Sequence, residues 1–271
     1  MVLSKIASMM RRMTRAPQEA KSILRTLPAI VRASEFARRW EDRTPTAGAT
    51  RAAQANPLRD FFDARTTGAG VWKWRHYFDI YHRHLEKFVG RDVHLLEIGV
   101  YSGGSLEMWR EYLGAKSVIH GVDIAAECTV YESANVHISI GDQQDPEFWA
   151  RFREKTPQLD VVIDDGGHTP GQQIVTLEEL LPHLRPGGVF LCEDVHGFHH
   201  EFAAYVGGLV GHLNRIESVE GAELAATPVP FQRGVYAIHF YPYVVVIERT
   251  DAAPVEFVAP KRGTDWQPFS V

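Results

Sequence analysis

The chain has 271 residues, of which 45% are hydrophobic and 23% charged, and its formal net charge is −5. That length is enough for one large domain with a sizeable core, and no run of eighteen apolar residues predicts a membrane-spanning helix. The two cysteines, Cys128 and Cys192, argue against a disulfide framework and favour a reducing, cytoplasmic location.

Positive charge is concentrated in the first fifty residues. They hold ten Lys or Arg and four acidic side chains, a net charge of +6, so the remainder carries −11. Apolar residues recur there at roughly helical spacing: Ile6, Met9, Met10, Met13, Ile23, Leu24, Leu27, Ile30 and Val31. We predict a basic helical N-terminal extension over residues 1–55 and a main domain over 56–271. Residues 1–50 fit contact with a membrane surface, docking on a partner, or packing on the main domain or a second subunit.

Breaker-rich residues 44–50 predict a linker, and the sequence from 56 to 70 looks irregular. Aromatic and apolar residues from Trp74 to Leu85 then recur every three or four positions, which predicts a helix that stops at Gly90. The aromatic side chains of this segment could form an apolar platform for a sugar ring or belong to the core. They are Trp72, Trp74, Tyr77 and Tyr81.

From residue 93 onwards, strand and helix patterns alternate. The predicted strands are 93–100, 117–122, 136–140, 159–164 and 188–193, and the predicted helices between them are 104–113, 145–154 and 171–184. A further helix is predicted at 199–216, and two strands, 236–240 and 243–249, form a tight antiparallel pair. The pattern predicts an α/β fold, with a Rossmann-like, doubly wound, mostly parallel sheet and an antiparallel C-terminal hairpin.

A glycine-rich turn follows the first strand, in the sequence Leu96-Glu97-Ile98-Gly99-Val100-Tyr101-Ser102-Gly103-Gly104-Ser105. Tyr101 stands where the dinucleotide fingerprint needs its second glycine, which disfavours NAD or FAD. Asp123 ends the next strand, where an acid accepts the hydroxyls of a ribose, and Asp142 and Gln143 follow the third. The set predicts an adenosine-containing ligand without a pyrophosphate.

Two apolar strands end in acids, as Val161-Val162-Ile163-Asp164-Asp165-Gly166-Gly167-His168 and as Val189-Phe190-Leu191-Cys192-Glu193-Asp194. Neighbouring parallel strands would bring these carboxylates together in one crevice. Desolvated acids repel one another unless a proton or cation intervenes, and oxygen ligands favour a hard divalent metal. The sequence therefore predicts a metal-assisted enzyme site.

Together these motifs resemble the class I S-adenosylmethionine-dependent methyltransferases. Within them, the Asp164–His168 and Glu193-Asp194 tips are similar to those of the metal-dependent sugar O-methyltransferases of macrolide and related glycoside biosynthesis, the mycinamicin and tylosin type. The resemblance covers residues 72–197, and Gly167 replaces a serine that is common in that group.

The resemblance implies methyl transfer from S-adenosylmethionine to a hydroxyl of a glycoside or other natural product. It also implies Mg²⁺ held by Asp165, Glu193 and Asp194, His168 as the general base, and a homo-oligomer. The predicted cofactor-binding residues are Glu97, Gly99, Tyr101, Ser102, Gly103, Ser105, Asp123, Asp142, Gln143 and Asp164.

Other interpretations stay open at this point. A catechol-like O-methyltransferase would act on a phenolic or polyketide hydroxyl and depend less on His168, and a membrane-surface or assembly protein would carry a vestigial cofactor site. A second histidine cluster, His196, His199 and His200, fits either substrate contact or an exposed loop. We expect no nucleic-acid partner, because the main domain is acidic and carries no nucleic-acid-binding motif.

Overall fold

A computed structural model describes residues 17–41, 55–197, 199–216, 225–260 and 262–263. The chain divides into two units, Met1–Gln54 and Ala55–Val271. The predicted linker at 44–50 and the first part of the predicted extension lie outside the described residues.

The first unit contains one long helix, α1 (Pro17–Glu41), which confirms the predicted N-terminal helix. Its apolar side chains at Ile23, Leu24, Leu27, Ile30 and Val31 are about half exposed or more. Among the described helices, none combines the length and the apolar character needed to cross a bilayer.

The second unit begins with a helix where the sequence predicted irregular structure. Helix α2 (Pro57–Ala64) starts at Asn56, whose side chain accepts hydrogen bonds from the backbone amides of Leu58 and Arg59. Asparagine at the N-cap followed by proline is a typical helix start, so the prediction of irregular structure was wrong. The aromatic helix α3 (Tyr77–Leu85) begins three residues later than predicted and continues as a 3₁₀ turn, Glu86–Phe88.

A seven-stranded sheet forms the centre of this unit. Its strands are β1 (His94–Ile98), β2 (Val118–Asp123), β3 (Val136–Ile140), β4 (Leu159–Asp164), β5 (Leu184–Val195), β7 (Val235–Tyr241) and β8 (Tyr243–Arg249), while β6 (Ala225–Ala226) pairs separately with β9 (Phe257–Val258). The order is β3-β2-β1-β4-β5-β8-β7. The first five strands are parallel, and β8 and β7 complete the sheet in antiparallel fashion. The predicted sheet and C-terminal hairpin are confirmed.

Helices cover both faces of the sheet. They are α4 (Gly104–Leu113), α5 (Pro146–Lys155), α6 (Pro170–Leu180), α7 (Glu201–Leu213) and the short α8 (Pro230–Gly234). One buried cluster joins one face to α2, α3 and α4, with Trp109 fully buried, and a second joins the other face to α5, α6 and α7 around Trp149. Because the central strands are buried on both faces, they are mostly apolar before their tips, with buried polar exceptions such as Glu97 in β1 and His120 in β2.

The strand order reverses between β1 and β4. From β1 the chain moves outward through β2 to β3, and it then returns to the other side of β1 for β4 and β5. Such a reversal opens a crevice beyond the carboxyl ends of the strands, which is the preferred ligand position in open α/β sheets. The glycine turn after β1 and the acidic tips of β4 and β5 all lie at this edge.

Candidate active site

The glycine turn after β1 packs directly against the tip of β4. Gly99 has a φ of +90°, and a Cβ atom at this position would lie 2.1 Å from the carbonyl oxygen of Asp165. Gly103 also has a positive φ, and its added Cβ would meet the ring of Tyr131 at 2.6 Å. Only glycine meets both demands, so these two residues fix the loop that leads into α4.

Asp123, at the end of β2, holds the same loop in place. One carboxylate oxygen accepts hydrogen bonds from the amides of Val100 and Tyr101 at 2.9 and 3.1 Å, and the other accepts one from Ala125 at 2.9 Å. Burial alone would raise the pKa of Asp123, but these backbone hydrogen bonds lower it below its usual value. The carboxylate is therefore ionised and fixed at the edge of the crevice, where it remains partly exposed.

Two buried polar pairs support the floor of the site. Ser105 donates a hydrogen bond to Glu97 at 2.6 Å. The Gln143 side chain donates to Asp164 at 3.0 Å and accepts from the amide of Gly167 at 2.7 Å, so it braces the tip of β4. Burial raises the pKa of Asp164 to about 6.

A lysine lies at the centre of the carboxylate cluster. The Lys73 ammonium is 2.6 Å from Asp165, 3.0 Å from Glu193 and 3.2 Å from Glu97, and its side chain is only 2% exposed. Burial lowers the pKa of Lys73, but the carboxylates of Asp165, Glu193 and Glu97 raise it more, to well above its ordinary value. Burial likewise raises the pKa of Glu97 and, together with the nearby Asp165 charge, that of Glu193. One cation therefore faces three acids.

Aromatic hydroxyls from α3 complete the hydrogen bonding of the β5 tip. Tyr81 donates to Glu193 at 2.7 Å, and Tyr77 donates to Asp194 at 2.8 Å. The indole nitrogen of Trp74 also donates to Asp194, at 3.1 Å. The rings of Tyr77 and Tyr81 are buried, so their hydroxyls bind the two carboxylates from the interior of the protein.

His168 faces the acidic tips from the turn after β4. Its Nε2 lies 3.6 Å from Asp194 and 3.9 Å from Asp165, and the side chain is 39% exposed. Oxygen or nitrogen atoms of Asp165, His168 and Asp194 lie within 4.8 Å of one another. His168 and Asp194 both adopt left-handed backbone conformations, with φ values of 55° and 53°, and Tyr101 in the glycine turn does the same at 49°.

These groups surround one cavity of about 860 Å³. Every predicted site residue lines this cavity except Glu97, Gly103 and Asp164, which are buried. Asp142 is exposed at its edge, where it accepts a hydrogen bond from the amide of Gln144. Trp72, which is 86% exposed, and Trp74 lie along the rim, and His196 also lines it. The four aromatic residues thus divide into an exposed pair and a buried pair.

Sequence reasoning missed Lys73 and the roles of the two tyrosine hydroxyls. The excess of carboxylates already required a cation or protons, but an ammonium from the same chain was not considered. Lys73 lies between Trp72 and Trp74, and a lone lysine among aromatic residues ahead of a buried helix is the signal that would have revealed it.

The sequence is similar to that of known methyltransferases. Residues 96–195 match the profile of a family described as a methyltransferase domain. The 8-demethyl-8-alpha-L-rhamnosyl tetracenomycin-C 2'-O-methyltransferase of Streptomyces olivaceus is 30% identical, over 67% of this chain and 52% of its own length. The mycinamicin VI 2''-O-methyltransferase of Micromonospora griseorubida is 29% identical, over 62% of this chain and 47% of its own length. The chain therefore spans about half the length of the curated relatives it matches.

A solved structure shares the fold. The MycE methyltransferase from the mycinamycin biosynthetic pathway, in complex with Mg, SAH and mycinamycin VI, has a TM-score of 0.59 at 24% identity. The match covers 72% of this chain and 53% of that structure. The chain thus shares the fold of that methyltransferase, and residues 96–195 match a methyltransferase-domain family. In sequence it is similar to the sugar O-methyltransferases of macrolide and tetracenomycin biosynthesis, which confirms the resemblance.

Proposed function

We propose that this protein transfers a methyl group from S-adenosylmethionine to a hydroxyl of a sugar-bearing natural product, assisted by Mg²⁺. The observation that carries the proposal is the shared cavity. The glycine turn and Asp123 line one part of it, and the close group of Asp165, His168 and Asp194 lines another. A cofactor and an acceptor bound there would be adjacent.

The cofactor half of the cavity fits an adenosine-containing ligand. Asp123 is ionised and partly exposed at the tip of β2, which suits the two hydroxyls of a ribose. The start of α4 presents its backbone amides beside the glycine turn, and Asp142 and Gln143 follow the tip of β3. We assign cofactor binding to the predicted set, with the buried residues Glu97, Gly103 and Asp164 supporting those that line the cavity.

The acidic tips fit a divalent cation. Asp165 and Asp194 would hold it with oxygen ligands, which suit Mg²⁺, and Glu193 completes the proposed set. The Lys73 ammonium donates hydrogen bonds to both Glu193 oxygens, at 3.0 and 3.2 Å, and to Asp165 at 2.6 Å, so these two carboxylates would share their oxygen lone pairs between Lys73 and the ion. When bound, Mg²⁺ orients the acceptor oxygens and stabilises the developing negative charge on the reacting oxygen.

His168 is proposed to accept the hydroxyl proton at Nε2. Nε2 lies 3.6 Å from Asp194 and 3.9 Å from Asp165, so an acceptor hydroxyl held at these carboxylates would lie beside the imidazole. Tyr77 and Trp74 fix the Asp194 carboxylate from its other side, which keeps it turned towards His168. The chain's own residues thus position the acceptor oxygen and remove its proton, while the sulfonium donor is already activated.

The acceptor is proposed to be a glycoside, because the relatives are named for sugar hydroxyls and the cavity rim carries exposed indole rings. Trp72 and Trp74 present flat apolar surfaces that suit the C–H face of a sugar. The alternative acceptor is a phenol, and the experiment must distinguish it from a glycoside. A phenol ionises far more readily than an aliphatic hydroxyl, so it depends less on the imidazole.

The test combines binding and turnover in the full chain. We expect S-adenosylhomocysteine to bind in calorimetry, and a Mg²⁺ signal that disappears in Asp165→Ala/Glu193→Ala. With glycoside acceptors, His168→Ala should lower kcat by about 10²–10⁴-fold and leave cofactor affinity unchanged. The matched control His183→Ala changes a histidine just before the amino end of β5, outside the cavity lining, and should keep full activity. Absence of cofactor binding would refute the proposal, and turnover of catechols alone would replace the sugar acceptor.

The N-terminal extension is proposed to contact a membrane surface or a second subunit. The exposed apolar residues of α1 and the basic character of residues 1–50 support contact of this kind. Sedimentation with anionic vesicles and size measurement in solution, with and without residues 1–54, separate the two. Binding to vesicles that needs the extension indicates a membrane surface, and a change in oligomer size indicates a subunit interface. A cytoplasmic location stays a prediction.

A further inference from the structure

A second group of metal-ligating side chains lies away from the cavity, where α3 crosses the antiparallel pair β7–β8. His84 comes from α3, His239 from β7 and Glu248 from β8, and their ligand atoms lie within 4.8 Å of one another. Glu248 pairs with Val189 in β5, whereas Tyr243 pairs with Val195 beside the active site. Glu248 is five positions from Tyr243 along β8, so this group lies about 16 Å along the strand from the active-site end, at the usual rise of ~3.3 Å per residue.

The ligand atoms lie within about 0.6 Å of the spacing that a tetrahedral ion requires. His84 Nδ1 lies 2.7 Å from one Glu248 oxygen, and His239 Nε2 lies 3.6 Å from the other. Ligand atoms held at ~2.0–2.1 Å by a tetrahedral Zn²⁺ stand about 3.3 Å apart, so small side-chain movements bring all three to one point. The set of two imidazoles and one carboxylate is one that zinc uses in proteins, with the fourth position left to water.

Two further observations point to a ligand. His239 Nε2 is buried and has no hydrogen-bond partner among the residues that the structure describes. His84 is 4% exposed, and its other ring nitrogen, Nε2, lies 2.9 Å from the Tyr241 hydroxyl. His84 Nδ1 contacts the Glu248 carboxylate at 2.7 Å, and a bound zinc ion would replace the proton shared there, while the Tyr241 hydroxyl holds the ring through Nε2 in the way that ligating histidines are usually oriented.

We propose that His84, His239 and Glu248 form a zinc site, independent of the magnesium chemistry at the cavity. The ion would tie α3 to the hairpin at the edge of the sheet. Since α3 also carries Tyr77 and Tyr81, which hold Asp194 and Glu193, zinc at this position would stiffen the support of the active-site carboxylates. Binding only to the folded state would raise the unfolding temperature as the zinc concentration rises.

The experiment uses the full chain after removal of metals with a chelator. Asp165→Asn/Asp194→Asn serves as the background, because the cavity group can itself attract zinc. In that background we expect one Zn²⁺ to bind in calorimetry, and Co²⁺ to give the strong visible absorption of a tetrahedral site. Adding His239→Ala should weaken Zn²⁺ binding at least ~100-fold, and adding Tyr241→Phe should weaken it by about 10–100-fold.

His212→Ala, which removes an exposed histidine elsewhere, is the matched control and should leave zinc binding unchanged. His239→Ala is expected to fold, because its ring nitrogen makes no hydrogen bond within the described part of the chain, and circular dichroism checks this. Equal zinc affinity and equal cobalt spectra with and without His239 would overturn the proposal, as would the absence of zinc binding in the background protein. Neither result bears on the proposed methyl transfer, which the cofactor titration tests separately.

Discussion

Replacing Lys73 by methionine tests whether this ammonium balances the carboxylate cluster. The substitution keeps the apolar stem and approximate length of the side chain but removes its charge. Asp165, Glu193 and Glu97 would then lose a cation at 2.6, 3.0 and 3.2 Å. Breaking a buried ion pair by removing one partner costs about 3–5 kcal/mol, because the remaining charge stays buried without compensation. We expect a loss of that size in the free energy of unfolding at pH 8 without divalent ions.

The assay is urea unfolding of the full chain, followed by circular dichroism and repeated with Mg²⁺. We expect Mg²⁺ to restore more stability to Lys73→Met than to the wild type, because a dication can replace the lost ammonium. Lys87→Met is the matched control. Lys87 is an exposed lysine whose amine donates a hydrogen bond to the Gly187 carbonyl and lies 5.2 Å from the centre of the Phe88 ring, so its loss should cost about 1 kcal/mol. Equal stabilities for Lys73→Met and the wild type, with and without Mg²⁺, would refute the reasoning.

Three further outcomes follow from the described contacts. Gly99→Ala should abolish binding of S-adenosylhomocysteine in calorimetry, because the new methyl group would lie 2.1 Å from the Asp165 carbonyl oxygen at a φ of +90°; retained affinity would contradict this. Tyr81→Phe should destabilise the fold by about 1–3 kcal/mol in thermal unfolding, because it removes one hydrogen-bond donor from the buried Glu193 side chain, and an unchanged unfolding temperature would count against that bond. Burial, together with two neighbouring histidines, lowers the pKa of His120 to about 4, so the unfolded chain takes up this proton first as the pH falls. The contribution of neutral His120 to the free energy of unfolding is therefore complete above about pH 6.5, and roughly 3 kcal/mol of it is lost as the pH falls to 4. In urea titrations at different pH values, His120→Leu should remove this part of the acid sensitivity.

The sheet was predictable because each buried strand reads as an apolar run with an abrupt polar end. The positions of Asp123, Asp165 and Glu193 at one edge followed from the topology of parallel strands. The helix at Pro57–Ala64 was missed, although Asn56 and Pro57 form a capping signal, because its apolar positions are too few to show a period.

The interior of the site was less predictable than its outline. Lys73 reaches three acids that are 24, 92 and 120 residues further along the chain, and no local pattern encodes such a contact. Gln143 was assigned to the cofactor by its place after β3, yet its amide is also engaged with Asp164 and Gly167. Side-chain direction at a strand tip depends on what packs beneath it, and a single sequence does not record that.

The left-handed residues around the cavity have a consequence for how this protein tolerates change. Tyr101, His168 and Asp194 each hold a backbone conformation that costs an ordinary residue about 1 kcal/mol or more relative to its relaxed state. Three such positions lie around one crevice. Backbone strain therefore lowers the free energy of unfolding at the positions where the site needs side chains in fixed orientations. Selection for heat resistance alone would favour glycine at these positions and release the strain, while the imidazole, the carboxylate and the ring would be lost. Higher thermal stability and catalytic activity therefore favour different residues at this edge of the sheet. Packing in the rest of the core must offset the free energy that these strained conformations cost.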